Sequence, residues 1–512
     1  NPATSASGFA ANGSYSQYFN ENYTYNNDYY LKYSKDFKSI NSHLDLQAGY
    51  SYQYFHFYNE PEATYKADKV TVNTAAPATF PGQYYIESPF GRLNFDVDGK
   101  YLLTATIRDD RSSRFGSSNR NGYFPSVALA WRLKEESFFK SVDVLSDLKL
   151  RVGYGITGQQ DVGSNYFPYL AVYEPSNTGA GYGFGTNYTT TLRADAYNSN
   201  LKWESTATTN VGLDYGFLNG RINGSIDYYY RKTKDLLIFT PVPDGTNLSN
   251  YITANIGNLV TKGLDFNINV IAIASKDINW TMGYNVSYNT RKVTNISLTK
   301  DPNLIIPTGA INGLGNTIQI YKAGVAPNAF YPFQQVYGAN GAPLEGVYVD
   351  RNGNGITSDD NYVYKQPNPV VFMGFNSNFS YKNWDLAFTL RADLGNYVYN
   401  DVAASNAAYI NITYANFLSN LPTSVLKTNF QKQQNYSDYY IENGSFLRMD
   451  NINLGYNFGN ITKVIKLRAS FNVQNVFVVT KYTGLDPEVQ GGIDNNIYPR
   501  PRIYSLGLNA SF

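Results

Sequence analysis

The stretch VDRNGNGITSDDN, residues 349–361, has the residue types and spacing of a cation-binding loop. Asp350, Asn352, Asn354 and Gly355 follow the D-x-[DN]-x-[DN]-G opening of an EF-hand-type loop, which wraps a hard cation in about six to eight oxygen ligands. The side chains of Asp350, Asn352 and Asn354, the Ile356 carbonyl and the Asp360 carboxylate would hold Ca²⁺, with Gly355 permitting the sharp turn. The twelfth position, usually acidic, is Asn361, and the nearest carboxylates, Asp359 and Asp360, come earlier. Neutral amides at two of the first three side-chain positions make the expected affinity modest. The same run also reads as a turn rich in Asn and Gly. No other cofactor is required.

A second chemistry is stacking. The runs NYFPYLAVYEPSNTGAGYGFGTNY (165–188), NAFYPFQQVYG (328–338) and NAAYINITYANF (406–417) place Tyr166, Phe167, Tyr169, Tyr182, Phe184, Phe330, Tyr331, Phe333 and Tyr409 among amide side chains. Such rings suit sugar faces, a peptide or a lid protein, and loops packing on one another would use the same residues. Covalent catalysis has no counterpart, because nothing matches a nucleophile elbow, a P-loop or a zinc motif. Asp109 and Asp110 read as solvated rim charges. With Cys 0 and only His43 and His56, thiol chemistry and cysteine- or histidine-based metal sites drop out. Lys+Arg 41 against Asp+Glu 40 leaves no electrostatic footprint for nucleic acid.

The elements that must carry these loops are strands. Tyr 48, Phe 30 and Gly 42, with only 16% charged residues, favour sheet over amphipathic helix. In TTNVGLDYGFLNGRINGSIDYYYR (208–231), Val211, Leu213, Tyr215 and Phe217 alternate with Asn210, Gly212, Asp214 and Gly216, and the alternation resumes after Asn219-Gly220. That is a long hairpin. About fifteen such segments recur along the chain, many reaching the roughly 10 residues that cross a bilayer at a tilt. Tight turns expected at Asp98-Gly99, Asn219-Gly220, Ser275-Lys276, Lys382-Asn383 and Gly459-Asn460 interleave with long excursions after Arg111, Gly158, Thr240, Arg291 and Arg391. Segregated loop lengths predict a transmembrane antiparallel β-barrel portion, all-β, with short periplasmic turns and long extracellular loops. Its apolar face meets lipid and its Asn, Asp, Ser and Gly face lines a polar interior. Trp131, Trp203, Trp280 and Trp384 fall near strand ends, where an aromatic girdle would put them.

Several stretches resemble the barrel strands of the SusC/RagA-like TonB-dependent transporters of Bacteroidetes outer membranes. They are YLLTATIRDDRSSRFG (101–116), NRNGYFPSVALAWRLKEESFF (119–139), LKLRVGYGITGQQDVG (148–163), NLKWESTATTNVGLDYGFLNGRINGSIDYYYRKTKDLL (200–237), SFLRMDNINLGYNF (445–458), TKYTGLDPEV (480–489) and YPRPRIYSLGLNASF (498–512). The resemblance implies an outer-membrane barrel of about 22 strands with an N-terminal plug. It implies a SusD-like surface lipoprotein as lid, TonB as the source of energy, and import of glycans or peptides without covalent chemistry. Residues 1–512 match the C-terminal barrel part, so the plug, the TonB box and the first strands are expected outside this sequence, and TonB would act through that missing N-terminal region. Phe512, closing an alternating strand, stands where the family presents its signal to the barrel-assembly machinery. Lipid and lipopolysaccharide would surround the wall. The alternatives are a SusC-like barrel serving as scaffold in a larger outer-membrane complex and a soluble all-β binding protein.

Overall fold

In the computed structural model, fifteen strands follow one another in one antiparallel meander, each paired with its neighbours in the chain. They are β1 (Phe19–Phe37), β2 (Ser42–Glu60), β3 (Gly82–Val97), β4 (Tyr101–Ser112), β5 (Ser126–Arg132), β6 (Leu145–Gln159), β7 (Glu204–Phe217) and β8 (Ile222–Pro241). The remainder are β9 (Tyr251–Ala274), β10 (Ile278–Asn295), β11 (Val371–Tyr381), β12 (Trp384–Leu394), β13 (Phe446–Asn460), β14 (Lys466–Thr480) and β15 (Ile503–Ser511). The structure describes residues 13–511 apart from 17–18, 61–62, 75–81, 164–165, 177–180, 186, 190, 195, 243–244, 246–250, 298–300, 314, 417, 462–464 and 496. Phe512 lies outside the described residues. Among the described residues β1 and β15 are opposite edges of the sheet, which does not close on itself.

Connections alternate as the sequence predicts. Those at 38–41, 98–100, 133–144, 218–221, 275–277, 382–383 and 461–465 share one rim, all of them brief except 133–144 with its two short helical turns, and 61–81, 113–125, 160–203, 296–370, 395–445 and 481–502 share the other. Asp98 and Gly99 (φ 56° and 64°), and Asn219 and Gly220 (φ 56° and 80°), take the left-handed conformations that tight hairpins require. Two expectations fail. Gly459-Asn460 is not a turn: Gly459 (φ 72°) sits beside a register shift inside β13, and the chain reverses at 461–465, where the Ile461 N–H donates to the Ile465 carbonyl at 2.9 Å. The connection after Thr240 is brief, 242–250, because β8 and β9, at 20 and 24 residues, carry their pairing far beyond a bilayer's need.

Register fixes the faces. Tyr101, Trp131, Leu150, Leu213, Ile226, Phe266, Val286 and Met373 form one row across eight strands, each directly opposite the next. Leu506, Phe471, Leu454, Leu386, Phe379 and Trp280 form another, and Leu506 is 87% exposed. The other face is polar. Arg151 bridges Asp214 at 2.6 Å and Asp227 at 3.0 Å, Ser225 donates to Asp227, and Asn267 donates to Ser225. Gly212 makes this possible, because a Cβ there would lie 2.3 Å from Asp227 Oδ1 and 2.7 Å from the Arg151 guanidinium. Trp131, Trp280 and Trp384 sit near the short-turn rim, whereas Trp203 packs between Phe115 and Phe124 at the long-loop rim. Because a strand's period of two lets only one face be apolar, Leu213→Arg should destabilise the inserted protein by roughly 2–4 kcal/mol and Asn210→Arg by much less. Denaturant titration in bilayers checks this, and equal costs at the two positions would refute the assignment of faces.

Candidate functional site

The long loops are not separate excursions. Ile311, Ile318, Phe330, Tyr399, Ala403, Ala404, Phe430, Tyr440 and Ile441, contributed by 296–370 and 395–445, form one hydrophobic core against which Ile493 of 481–502 packs. A small sheet (Ile305–Ala310, Thr317–Lys322 and Ala329–Phe330) and the parallel bridges Phe333 to Ser437 and Tyr399 to Ile493 stitch the loops together. Burying irregular chain demands such pairing, since each orphaned backbone group is costly.

The cap lies over the polar face of the wall. Val293 and Leu259, on that face, pack with Ile306 of the small sheet. Further round, Arg391 of β12 and Arg448 of β13 are directly opposed, an arrangement that like charges disfavour. Loop 481–502 resolves it. Arg391 grips both oxygens of Glu488 at 2.9 Å and also reaches Asp450, Arg448 meets Asp486 at 2.6 Å, and Arg500 meets Glu488 at 2.8 Å. The Arg448 side chain is only 2% exposed, so its ion pair with Asp486 is shielded from water. Breaking such a pair strands a buried charge.

A cleft of about 470 Å³ opens between the cap's helices and this loop, lined by Asn400, Lys427, Tyr439, Glu442, Thr483 and Asp494 among others. The Glu442 carboxylate accepts from Thr483 N–H and Oγ1, both at 2.8 Å, and from Asn400 Nδ2 at 2.9 Å. Asn400 also caps the helix Asp401–Asn406 by accepting the Ala403 N–H. Tyr482 donates to Asp494 at 2.6 Å, and burial followed by this bond keeps its phenol protonated well beyond the usual range. Carboxylates, an amide, an ammonium and a phenol converge here with no activated nucleophile. The arrangement can bind a polar ligand. A second cavity, about 720 Å³ and mostly apolar, lies among Phe239, Tyr251, Leu259, Val293, Ile306 and Tyr321.

The aromatic residues singled out in the sequence divide between two places. Phe330 is fully enclosed in the cap core, Tyr331 is half-buried, Phe333 stacks on Tyr348 at 5.1 Å, and the Tyr409 N–H donates to the Phe430 carbonyl. Tyr166 stacks on Phe57 at 5.8 Å and Phe167 meets Tyr169 edge-on, both beside the wall, while Tyr182 is exposed. The side chain of Phe184 lies outside the described residues. In the 350–361 loop, Asp350 accepts the N–H groups of Asn352, Gly353 and Gly355, which hold its carboxyl below the usual range, the Gly355 bond most of all. The Asp360 carboxylate, 0% exposed, accepts from Arg351 and Thr357 N–H. Sequence reasoning missed Arg391, Arg448, Arg500, Asp486, Glu488 and Glu442. The signal available was charge on the inward period of β12 and β13 together with the acidic run TGLDPEV.

Residues 1–329 match the family model described as TonB dependent receptor-like, beta-barrel. The chain belongs to this family. It is 44% identical to the TonB-dependent receptor SusC of Bacteroides thetaiotaomicron over 96% of its own length and 50% of that protein's, and 30% identical to the TonB-dependent receptor P3 of Formosa agariphila over 94% and 52%. The chain thus spans about half the length of the curated relatives it matches. The structure of the RagAB peptide transporter superposes with a TM-score of 0.79 at 24% identity, covering 98% of this chain and 56% of that one. Membership in this family, with the kinship to SusC, places the wall in the bacterial outer membrane as an integral barrel portion.

The loop-to-wall ion pairs carry a pH dependence whose sign is fixed. Burial disfavours ionised Glu488, but bonds and charge from Arg391 and Arg500 prevail and lower its pKa from the ordinary 4.5. A lowered carboxylate stabilises above its unfolded value and loses that contribution as pH falls through the folded one. Loop 481–502 should therefore become more protease-sensitive as pH drops below 4.5. Glu488→Gln should show raised sensitivity already at neutral pH and a flatter profile. Superimposable profiles for the two proteins would contradict the role given to Glu488.

Proposed function

We propose that this chain is the greater part of the barrel of an outer-membrane importer, and that it works with a SusD-like surface lipoprotein and TonB to take up glycans or peptides. The observation that carries the proposal is the inward-turned cap: three long loops, joined by a common core and by ion pairs to the wall, cover a polar interior and enclose a cleft of mixed lining that carries Glu442, Asn400, Lys427 and Asp494. A scaffold has no need of a cleft lined by Glu442, Asn400 and Lys427 over that interior. The kinship to SusC and the likeness to the RagAB peptide transporter support the same reading. The chain spans about half the length of these relatives, so contact with TonB, with the lipoprotein and, at biogenesis, with the barrel-assembly machinery all belong to the proposal.

In a deletion strain offered glycans and peptides as sole carbon sources in turn, growth on one class should fail and return with the intact gene. Glu442→Gln combined with Lys427→Ala should lower uptake of that nutrient about tenfold, since charged hydrogen bonds are lost, at unchanged outer-membrane levels. Undiminished growth on every nutrient would favour the scaffold. Calcium in the 350–361 loop is part of the proposal as a weak local prop, because the ion must compete with the amides that occupy Asp350 and Asp360. Calorimetric titration should give a dissociation constant of about 10⁻⁴–10⁻³ M that Asp350→Asn removes; heats identical for the two proteins would dismiss it.

A further inference from the structure

The lipid-facing side of β8, β9 and β10 changes character toward the long-loop rim. Its membrane rows hold Ile226, Phe266 and Val286, then Tyr228, Leu264 and Tyr288, which lie directly opposite one another and are each close to half exposed. The next residues of the same period are Tyr230, Lys262 and Thr290, and beyond them Lys232, Val260 and Lys292. Lys234 follows on β8, opposite Ser205. Lys232, Lys234, Lys262 and Lys292 are all exposed. Strand spacing puts Lys232 and Lys292 about 10 Å apart in one row, with Lys262 on the strand between them one row nearer the membrane.

Two features separate this triangle from ordinary surface lysines. Among the described residues none of the four is within ion-pair range of a carboxylate, whereas Lys202, one strand away, pairs with Asp235 at 3.0 Å. The outward ladder positions of β7, β9 and β10 here include Ser205, Ala207, Thr209, Asn258 and Thr294, none of them acidic, and the acid next to Lys234 on β8, Asp235, sits in a bulge (φ 57°) and is taken by Lys202. The lysines also stand directly above a Tyr-Leu-Tyr row, the pattern by which a wall marks the water boundary of a bilayer, and Lys262 Nζ lies 5.7 Å from the centre of the Tyr230 ring. An occupant must be anionic, must sit at the membrane surface and must reach this height from the lipid side. β7 pairs with β8 as far as Lys234, and beyond β11, whose pairing ends opposite Tyr288, the edge of β10 is taken by the cap, where Val293 exchanges hydrogen bonds with Gly324 and Val325, so no further wall strand pairs beside the patch.

We propose that Lys232, Lys262 and Lys292 form a docking site for the phosphates of an outer-leaflet glycolipid, lipopolysaccharide, whose acyl chains lie against the Tyr228, Leu264 and Tyr288 row. Several ammonium groups around one phosphate add their attraction at the membrane surface, and the tyrosines supply the amphipathic boundary beneath. The proposal rests on the outer-membrane placement alone and is independent of what is imported.

The test uses the full-length receptor purified from outer membranes in mild detergent, with bound glycolipid counted by native mass spectrometry. Replacing Lys232, Lys262 and Lys292 together by Gln should reduce retained lipopolysaccharide at least about tenfold. Arg231→Gln with Arg291→Gln, on the inward period of the same strands, should leave it unchanged. Added back to delipidated protein, phosphorylated glycolipid should bind the wild type better than the variant, and its dephosphorylated form should bind both alike. Equal retention by wild type and variant overturns the site, and so does loss of a co-purifying lipoprotein with glycolipid retained, which would make the patch a protein contact. Heat-modifiable migration confirms that the variants are folded; should the triple variant fail that check, Lys262→Gln alone must still lower retention.

Discussion

Every backbone amide within a bilayer has to find its partner in protein, and that constraint organises this chain more than any individual contact does. Fifteen sequential antiparallel strands satisfy it by pairing each with the next. Once pairing is fixed, the two-residue period leaves one face for hydrocarbon and one for water, and a slip of one residue would invert both. The aliphatic rows and the Arg151, Asp214 and Asp227 cluster on the opposite face are consequences of that single choice. The edges at β1 and β15 remain the places where the constraint is unmet within the described residues, and a spanning wall requires them to be paired.

The cap obeys a different logic. Its loops carry only short ladders, so they are held as well by a compact core around Phe330, Tyr399 and Tyr440 and by charge. Asp486 and Glu488 neutralise two arginines that the register sets side by side on β12 and β13, so wall and loop each supply what the other lacks. That mutual dependence fixes the loop beside the cleft of Glu442 and Asn400. The polar groups of the cleft are thereby tied to a rigid wall even though they belong to long connections.

Sequence period made the wall legible. The hairpin at Asn219-Gly220, the faces of Leu213 and Asn210 and the segregation of loop lengths all follow from local pattern. Gly459-Asn460 misled because a left-handed Gly serves a bulge as readily as a turn. The cap was illegible for a reason of distance. Arg391 and Glu488 are 97 residues apart and Arg448 and Asp486 are 38 apart, so no window of sequence shows that they meet. Phe330 looked like a ligand-stacking ring because loop aromatics that pack on one another have the same composition as those that bind. One of the stretches that carry the family resemblance is TKYTGLDPEV, and the ion pairs of Asp486 and Glu488 supply a physical account of that run.

One face of this sheet meets lipid and the other meets water. Spin labels placed singly at positions 222 to 231 of β8, in bilayers, test it most directly through collision with oxygen, which concentrates in lipid, and with a water-soluble nickel complex. Strict alternation is expected below the water boundary, with oxygen access at Ile226 and Tyr228 and nickel access at Ser225, Asp227 and Tyr229. Nickel access at both sets, or oxygen access without a period of two, would contradict it.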